Sequence, residues 1–177
     1  VVKVSEFTPL TCMNLIAALI EAGLPAGVIN LVHGDAAKIG AAMLNHSAVK
    51  KISFTGSTRV GKILMDGASK TNTKLALELG GNAPVIILDD VDIEHVAKTA
   101  ATTKFRNCGQ VCISPQRFYV HEKIYEEFSA LVANYAAALT VGNGLDSETR
   151  LGPLINKTQQ QHVLQIIEQA KEEKNNI

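Results

Sequence analysis

The stretch KISFTGSTRVGKILMDGASKTNTKLALELGG, from Lys51 to Gly81, reads as a strand, a helix and a second extended segment. KISFT from Lys51 to Thr55 is the strand, Gly56 begins a glycine turn, and Ser57 to Ala68 predicts a helix with Val60, Ile63 and Leu64 supplying apolar contacts. KLALEL from Lys74 to Leu79 forms a strand or extended segment that stops at Gly80 and Gly81. The glycine pair predicts a boundary between two layered units near Leu79 to Asn82.

Upstream, Thr8 followed by Pro9 predicts a helix cap and first helical residue, and Leu10, Met13, Ala17 and Ile20 trace an apolar stripe that Gly23 and Pro25 close. VINLV, Val28 to Val32, reads as a buried strand, and Ala36 to Leu44 as a short helix. The order helix, strand, helix, strand with short connections implies parallel pairing in a layered α/β unit. Downstream comes the apolar run PVIIL, a helix from Ile93 to about Phe105, and the aperiodic segment RNCGQVCISPQ, Arg106 to Gln116. RFYV then predicts a strand, followed by a helix carrying Ile124, Phe128, Leu131, Tyr135 and Leu139. Gly142 to Asn156 reads as an exposed connection, and Thr158 to Lys174 as a helix with Val163, Ile166, Ile167 and Ala170 inward.

The 177 residues carry 17 Lys plus Arg against 17 Asp plus Glu, with no basic concentration, which argues against a nucleic-acid or anionic-membrane partner. Hydrophobic residues at 46% and charged residues at 19% exclude a disordered tail, a collagen-like repeat and a coiled coil. Three cysteines, Cys12, Cys108 and Cys112, are too few for a disulfide framework and fit a reducing compartment, so a cytoplasmic location is expected. The start, VVKVSEFTPL, has no apolar signal core, and PVIIL falls far short of the roughly 20 residues that span a bilayer. No initiating methionine is present and KEEKNNI follows directly on a helical pattern, so both ends read as cut, and a removed targeting signal stays open.

Cys112 is the sharpest chemical candidate. It follows Gly109 and Gln110 in a polar loop, where an exposed thiol near backbone donors can act as a nucleophile and its own amide can stabilise an oxyanion. A buried, inert thiol is the alternative. Cys108, four positions earlier, could face Cys112 on a helical turn and form a reversible disulfide, although two separate thiols is the preferred reading. Glu78 is an acid inside an apolar run: pointing into a cavity it would accept a proton from water near neutral pH, and pointing outward it is an ordinary strand-end carboxylate. Gly34 to Gly40 follows a strand and precedes a helix, but lacks the G-x-G-x-x-G spacing and is not a Walker loop. Gly56, Ser57 and Gly61 put a glycine turn and a hydroxyl at a helix start, which suits a pyrophosphate or a simple N-cap. His33, His46, His95, His121 and His162 have no metal-ligand spacing, and Asp89, Asp90 and Asp92 read as helix-capping residues rather than as a metal site.

Taken in order, KVSEFTPL, EAGLPAGVINLVHG, FTGSTRVG, LELGGNAP and FRNCGQVC resemble the NAD(P)-dependent aldehyde dehydrogenase superfamily over essentially the whole chain, and LELGG with GQxC is the most specific pair. KFRNCGQVC and ELGGNAP resemble the succinate-semialdehyde dehydrogenase branch in particular. The resemblance implies an aldehyde-dehydrogenase-like α/β fold, in which residues 1–79 form part of a Rossmann-type coenzyme domain and residues 80–177 begin the α/β catalytic domain with its nucleophile loop. It implies Cys112 as nucleophile and Glu78 as general base. Lys3 and Glu6 match the positions at the adenosine ribose, Gly34 begins the coenzyme-side turn, Gly56 and Ser57 match the pyrophosphate positions, and Leu79 falls among the coenzyme contacts.

Arg106 matches the arginine that pairs with the distal carboxylate of a semialdehyde acid, an anion its fork of donors suits; its alternative is an ordinary structural salt bridge. The implied cycle adds the Cys112 thiolate to an aldehyde, passes hydride from the thiohemiacetal to NAD or NADP, and hydrolyses the thioester with water activated by Glu78. Glu6 leans toward NAD, because a carboxylate accepts from free ribose hydroxyls and repels a 2′-phosphate. Three departures stand out: Val4 replaces the proline usual after the lysine, Asp35 and Ala36 replace a small pair containing a second glycine, and Ser114 stands where some semialdehyde enzymes carry a second cysteine. The familiar redox pair is therefore absent, which leaves Cys108 as a candidate redox partner for Cys112.

A family member is roughly two to three times longer, so the resemblance implies a central fragment without the early coenzyme-domain strands, the asparagine of the oxyanion hole, the glutamate at the nicotinamide ribose and the oligomerisation segment. The isolated 177 residues are then expected to bind coenzyme poorly, to turn over little aldehyde and to associate through exposed edges, while the parent forms a homodimer or homotetramer. Two alternatives stay open: a dehydrogenase for another aliphatic or amino aldehyde, and a non-catalytic α/β fragment.

Overall fold

The computed structural model describes residues 1–173, and the chain divides into two compact units that part between Leu79 and Gly80. The last residue of the helix expected over Thr158 to Lys174 lies outside the described residues.

In the first unit, β1 (Val2–Lys3) is followed by α1 (Pro9–Glu21), β2 (Leu31–Val32), α2 (Ala36–Asn45), β3 (Lys51–Gly56), α3 (Thr58–Thr71) and β4 (Lys74–Leu79). β1 pairs with β2 and β3 with β4, both in parallel, as the helical connections require. The register of the second pair runs from Lys51 opposite Lys74 to Gly56 opposite Leu79. Leu44, Leu64 and Ala68 are buried against Ile52, Phe54, Val60, Leu75 and Leu77, so α2 and α3 cover one side of this strand pair. α3 seats closely because two of its glycines lie at contacts, Gly61 against β4 and Gly67 against α2. A Cβ at position 61 would come within 2.9 Å of the Leu79 methyls, and one at 67 within 2.6 Å of a Leu44 methyl. α3 ends on Asn72, whose left-handed backbone (φ 54°, ψ 32°) turns the chain into β4.

The second unit holds β5 (Pro84–Ile87), α4 (Ile93–Phe105), a short 3₁₀ segment over Arg106–Gly109, β6 (Arg117–Val120), a 3₁₀ turn at Glu122–Ile124, α5 (Tyr125–Ala137) and α6 (Lys157–Glu172). β5 and β6 pair in parallel from Pro84 opposite Arg117 to Ile87 opposite Val120. Ile87, Ala97, Ala100, Ile124 and Phe128 form its core, with α4 lying on α5. The rings of Phe118 and Phe128 meet at 6.2 Å between centroids, a favourable tilted contact. Asp92 caps α4 by accepting from the His95 amide at 3.0 Å, the capping role expected of the aspartate cluster, and Asp89 pairs with Lys123 at 2.7 Å.

Several expected inward faces are open. Leu10, Met13 and Ile20 of the α1 stripe are exposed, as is Ala17, and Ile16 is the buried residue of that helix. Among the described residues α1 packs extensively on no other element. VINLV is strand only at Leu31–Val32, and Val28 is exposed. Thr8 precedes α1 as expected but makes no side-chain cap. Ile63 points outward while Leu64 is buried, and Leu139 follows the end of α5. On α6 Ile166 and Ile167 are exposed, because that helix packs extensively on no other described element. Among the described residues no helix is long and apolar enough to cross a membrane.

Candidate active site

The loop that leads to Cys112 holds three consecutive residues with positive φ. Asn107 and Cys108 have φ of 52° and 57° with ψ of 38° and 31°, and Gly109 continues the left-handed run at φ 71°. Glycine suits such a conformation and asparagine tolerates it, whereas cysteine rarely adopts it, and hydrogen bonds within the loop brace the run. The Gln110 amide donates to the Asn107 carbonyl at 3.1 Å, Gln110 Nε2 donates to the same oxygen at 3.0 Å, and Asn107 Nδ2 donates to the Gln110 carbonyl at 3.3 Å. The next turn closes where the Ser114 amide donates to the Val111 carbonyl at 3.0 Å. Cys112 sits at the second position of that turn, exposed and free. Its own N–H has no acceptor among the described residues and is available to a developing oxyanion.

Arg106 is exposed and makes no ion pair or side-chain hydrogen bond among the described residues. Cys108 is half-buried, and its thiol donates to the Gly152 carbonyl at 2.7 Å. Both cysteines are free thiols. Ser114 is 1% exposed and its Oγ donates to the Lys104 carbonyl at 3.1 Å, a contact that its sequence position did not signal.

Glu78 lies in the first unit, opposite Thr55 in the parallel pair and one residue before the end of β4. Its side chain is exposed, which in this chain meets the outward of the two readings given for it. Leu79 is half-buried, with its methyls against the open side of Gly61. Where β3 ends, Gly56 leads to Ser57, whose Oγ accepts from the Val60 amide at 3.3 Å and caps α3. At the carboxyl end of β1, Lys3 Nζ donates to Glu6 Oε1 at 2.7 Å. That hydrogen bond, with weaker help from the charge of His33, holds the Glu6 carboxyl below the usual carboxylate range. Gly34, at φ 143°, makes the turn after β2, and Asp35 caps α2 by accepting from the Lys38 amide at 2.8 Å. Among the described residues no cluster of histidine, cysteine and carboxylate residues could hold a metal ion.

These first-unit residues fit a dinucleotide in their chemistry. The first-turn amides of Thr58 and Arg59 have no acceptor among the described residues, so the start of α3 presents free donors of the kind that hold a phosphate. Glu6 Oε2 is not used by the Lys3 pair and can accept from a ribose hydroxyl.

Layered α/β units with parallel strand pairs and a cysteine-bearing loop define an α/β chain of the dinucleotide-binding kind in its architecture. Comparison with known proteins makes this specific: the sequence matches the aldehyde dehydrogenase family over residues 1–177, and the chain belongs to that family. It is 49% identical over 177 residues to the mitochondrial succinate-semialdehyde dehydrogenase of Oryza sativa subsp. japonica, covering 100% of this chain and 34% of that protein. It is 41% identical over 172 residues to a 3-sulfolactaldehyde dehydrogenase of Pseudomonas putida, covering 97% of this chain and 35% of that protein. Among solved structures, an NADP-dependent enzyme of E. coli superposes with a TM-score of 0.91 at 39% identity, covering 97% of this chain and 36% of the other. The chain spans about a third of the length of the curated relatives it matches.

Proposed function

We propose that the protein is an NAD(P)-dependent aldehyde dehydrogenase that oxidises succinate semialdehyde to the dicarboxylic acid. The observation that carries this reading is the Cys112 turn, which offers an exposed thiol and an unused backbone N–H at one residue. In this reading residues 1–79 are part of the coenzyme domain and residues 80–177 begin the catalytic domain.

The Cys112 thiolate adds to the aldehyde carbon, and the Cys112 N–H donates to the oxygen as it gains charge. Bound NAD or NADP supplies the hydride acceptor, with Lys3 and Glu6 at the ribose, Gly34 at the adjoining turn, Gly56 and Ser57 at the pyrophosphate and Leu79 along the coenzyme. Glu78, whose role rests on the family's LELGG motif and not on burial in this chain, takes a proton from the water that hydrolyses the Cys112 thioester, releasing the acid and the free thiol. Arg106, which has no side-chain partner among the described residues, receives the distal carboxylate in a bidentate pair. A 2′-phosphate would meet the Glu6 carboxylate, which favours NAD.

The test is reduced-coenzyme absorbance when the intact protein meets succinate semialdehyde with NAD or NADP, with Cys112→Ser as control. Cys112-dependent turnover, lower with an aldehyde that lacks a carboxylate, is expected. Equal turnover of uncharged aldehydes reassigns the substrate, and folded protein without turnover leaves the reading of a non-catalytic α/β chain. Cytoplasmic location is supported by the free cysteines, and fractionation of cells tests it. Sedimentation of the intact protein tests the proposed homodimer or homotetramer.

A further inference from the structure

The left-handed run before Cys112 is tied to a chain segment far along the sequence. Cys108 Sγ donates to the Gly152 carbonyl at 2.7 Å, and the Ile155 amide donates to Gln110 Oε1 at 3.1 Å. Gln110 is used from both ends, since its Nε2 holds the Asn107 carbonyl at 3.0 Å. The segment between Val141 and Leu151, closed on itself by a parallel bridge, thus leads directly into two ties to the nucleophile loop. Left-handed conformations at two residues with side chains persist only where their surroundings over-determine them. The Gly152 and Ile155 ties supply that over-determination from outside the loop, while the Asn107–Gln110 bonds supply it from inside.

We propose that Cys108 and Gln110 are positioning residues, which clamp the nucleophile loop to the Gly152–Ile155 segment and so set where the Cys112 thiol stands. This deepens the dehydrogenase reading and rests on it for its catalytic readout. Cys108 works as a hydrogen-bond donor in this arrangement, so its chemistry is replaceable by another donor and not by a methyl group. Any modification that removes the S–H, such as oxidation or alkylation at Cys108, releases one of the two ties. A misplaced nucleophile loses the near-attack geometry while substrate contacts elsewhere persist, so the turnover number falls and KM stays.

The experiment compares the intact protein with Cys108→Ala, Cys108→Ser and Ile155→Pro, the last removing the amide that Gln110 accepts from without altering the loop. Two readouts are taken: steady-state aldehyde oxidation, and hydrogen exchange at the amides from Asn107 to Ser114 with α4 and α5 as internal references. Cys108→Ala and Ile155→Pro are expected to lower kcat about tenfold with KM within about twofold, and to speed exchange in the loop alone. Cys108→Ser, which keeps a donor, is expected to recover most of the loss. Equal kcat and equal loop exchange in Cys108→Ala and Cys108→Ser overturn the proposal. So does faster exchange spread over α4 and α5 in both Cys108→Ala and Ile155→Pro, which makes the ties structural. If no protein in the set oxidises aldehyde but the loop exchange follows the expected order, the dehydrogenase reading fails while the clamp stands.

Discussion

Ser114 Oγ lies 3.1 Å from the Lys104 carbonyl, so a wholly buried hydroxyl joins the turn that carries Cys112 to the last turn of α4. The carbonyls at a helix end have no partner within the helix, and Ser114 satisfies one of them. Ser114→Ala is expected to cost about 1 kcal/mol, read as a lower urea midpoint with an unchanged slope. Ser114→Cys, which keeps a weak donor, is expected to lose less. An Ala variant as stable as the parent would mean that the contact carries nothing.

Phe128 is the largest apolar side chain of the second core, 3% exposed and in ring contact with Phe118. Phe128→Ala leaves a cavity among Ile87, Ala97 and Ala100 and is expected to destabilise by about 3–5 kcal/mol. Tyr125 on the same helix is 52% exposed, and Tyr125→Ala is expected to stay within about 0.5 kcal/mol. Denaturant melts of the two variants side by side check the contrast.

Asp89 accepts from Lys123 at 2.7 Å, and this hydrogen bond, followed by the charge of His121, lowers its carboxyl below the usual range. A depressed folded value means that whatever the pair adds to stability is present above the unfolded carboxylate range and is lost as pH falls through the folded value. Lys123→Met is expected to return Asp89 toward the ordinary range, read by carboxyl carbon shifts in an NMR titration. No movement of the Asp89 titration would assign the shift to His121 and the local backbone instead.

Arg106 has its donors free of other described partners, and one charge-assisted pair with a carboxylate contributes about 1.5–3 kcal/mol. Arg106→Met is therefore expected to raise KM for succinate semialdehyde about 10- to 100-fold. KM for butanal, which has no carboxylate, is expected to change little. A parallel rise for both aldehydes would place Arg106 in the loop architecture rather than at the substrate.

Glu78 is assigned to the step that frees the acid. Glu78→Gln is expected to leave a first burst of reduced coenzyme and to slow steady turnover about 10²- to 10⁴-fold, with acyl-Cys112 accumulating for mass spectrometry to detect. Loss of the burst as well would move Glu78 to an earlier step.

The strands and helices around Lys51 to Leu79 were legible because each has its own signal, Gly56 and Ser57 before a helix and an apolar run on either side, while the helix runs on to Thr71 past the expected end at Ala68. α4 from Ile93 to Phe105 was legible for the same reason, with Asp92 as cap. The faces were read less well. Periodicity at Leu10, Met13 and Ile20 marks a face as apolar but does not say what covers it, and no other described element packs extensively on α1. Cys112 and Glu78 stood out by residue type. The ties of Cys108 to Gly152 and of Gln110 to Ile155 left no trace in the sequence, because they span 44 and 45 positions and involve backbone atoms that any residue carries.

The β3–β4 register works as a ruler. Gly56 and Leu79 finish level with each other, so the helix cap at Ser57 and the carboxylate at Glu78 are delivered to the same carboxyl end of the strand pair by pairing alone. Because successive strand residues face opposite sides, a single residue inserted in β4 would turn Glu78 to the other face and leave Ser57 where it is. Along these two strands, then, the sequence can drift in composition far more freely than in length.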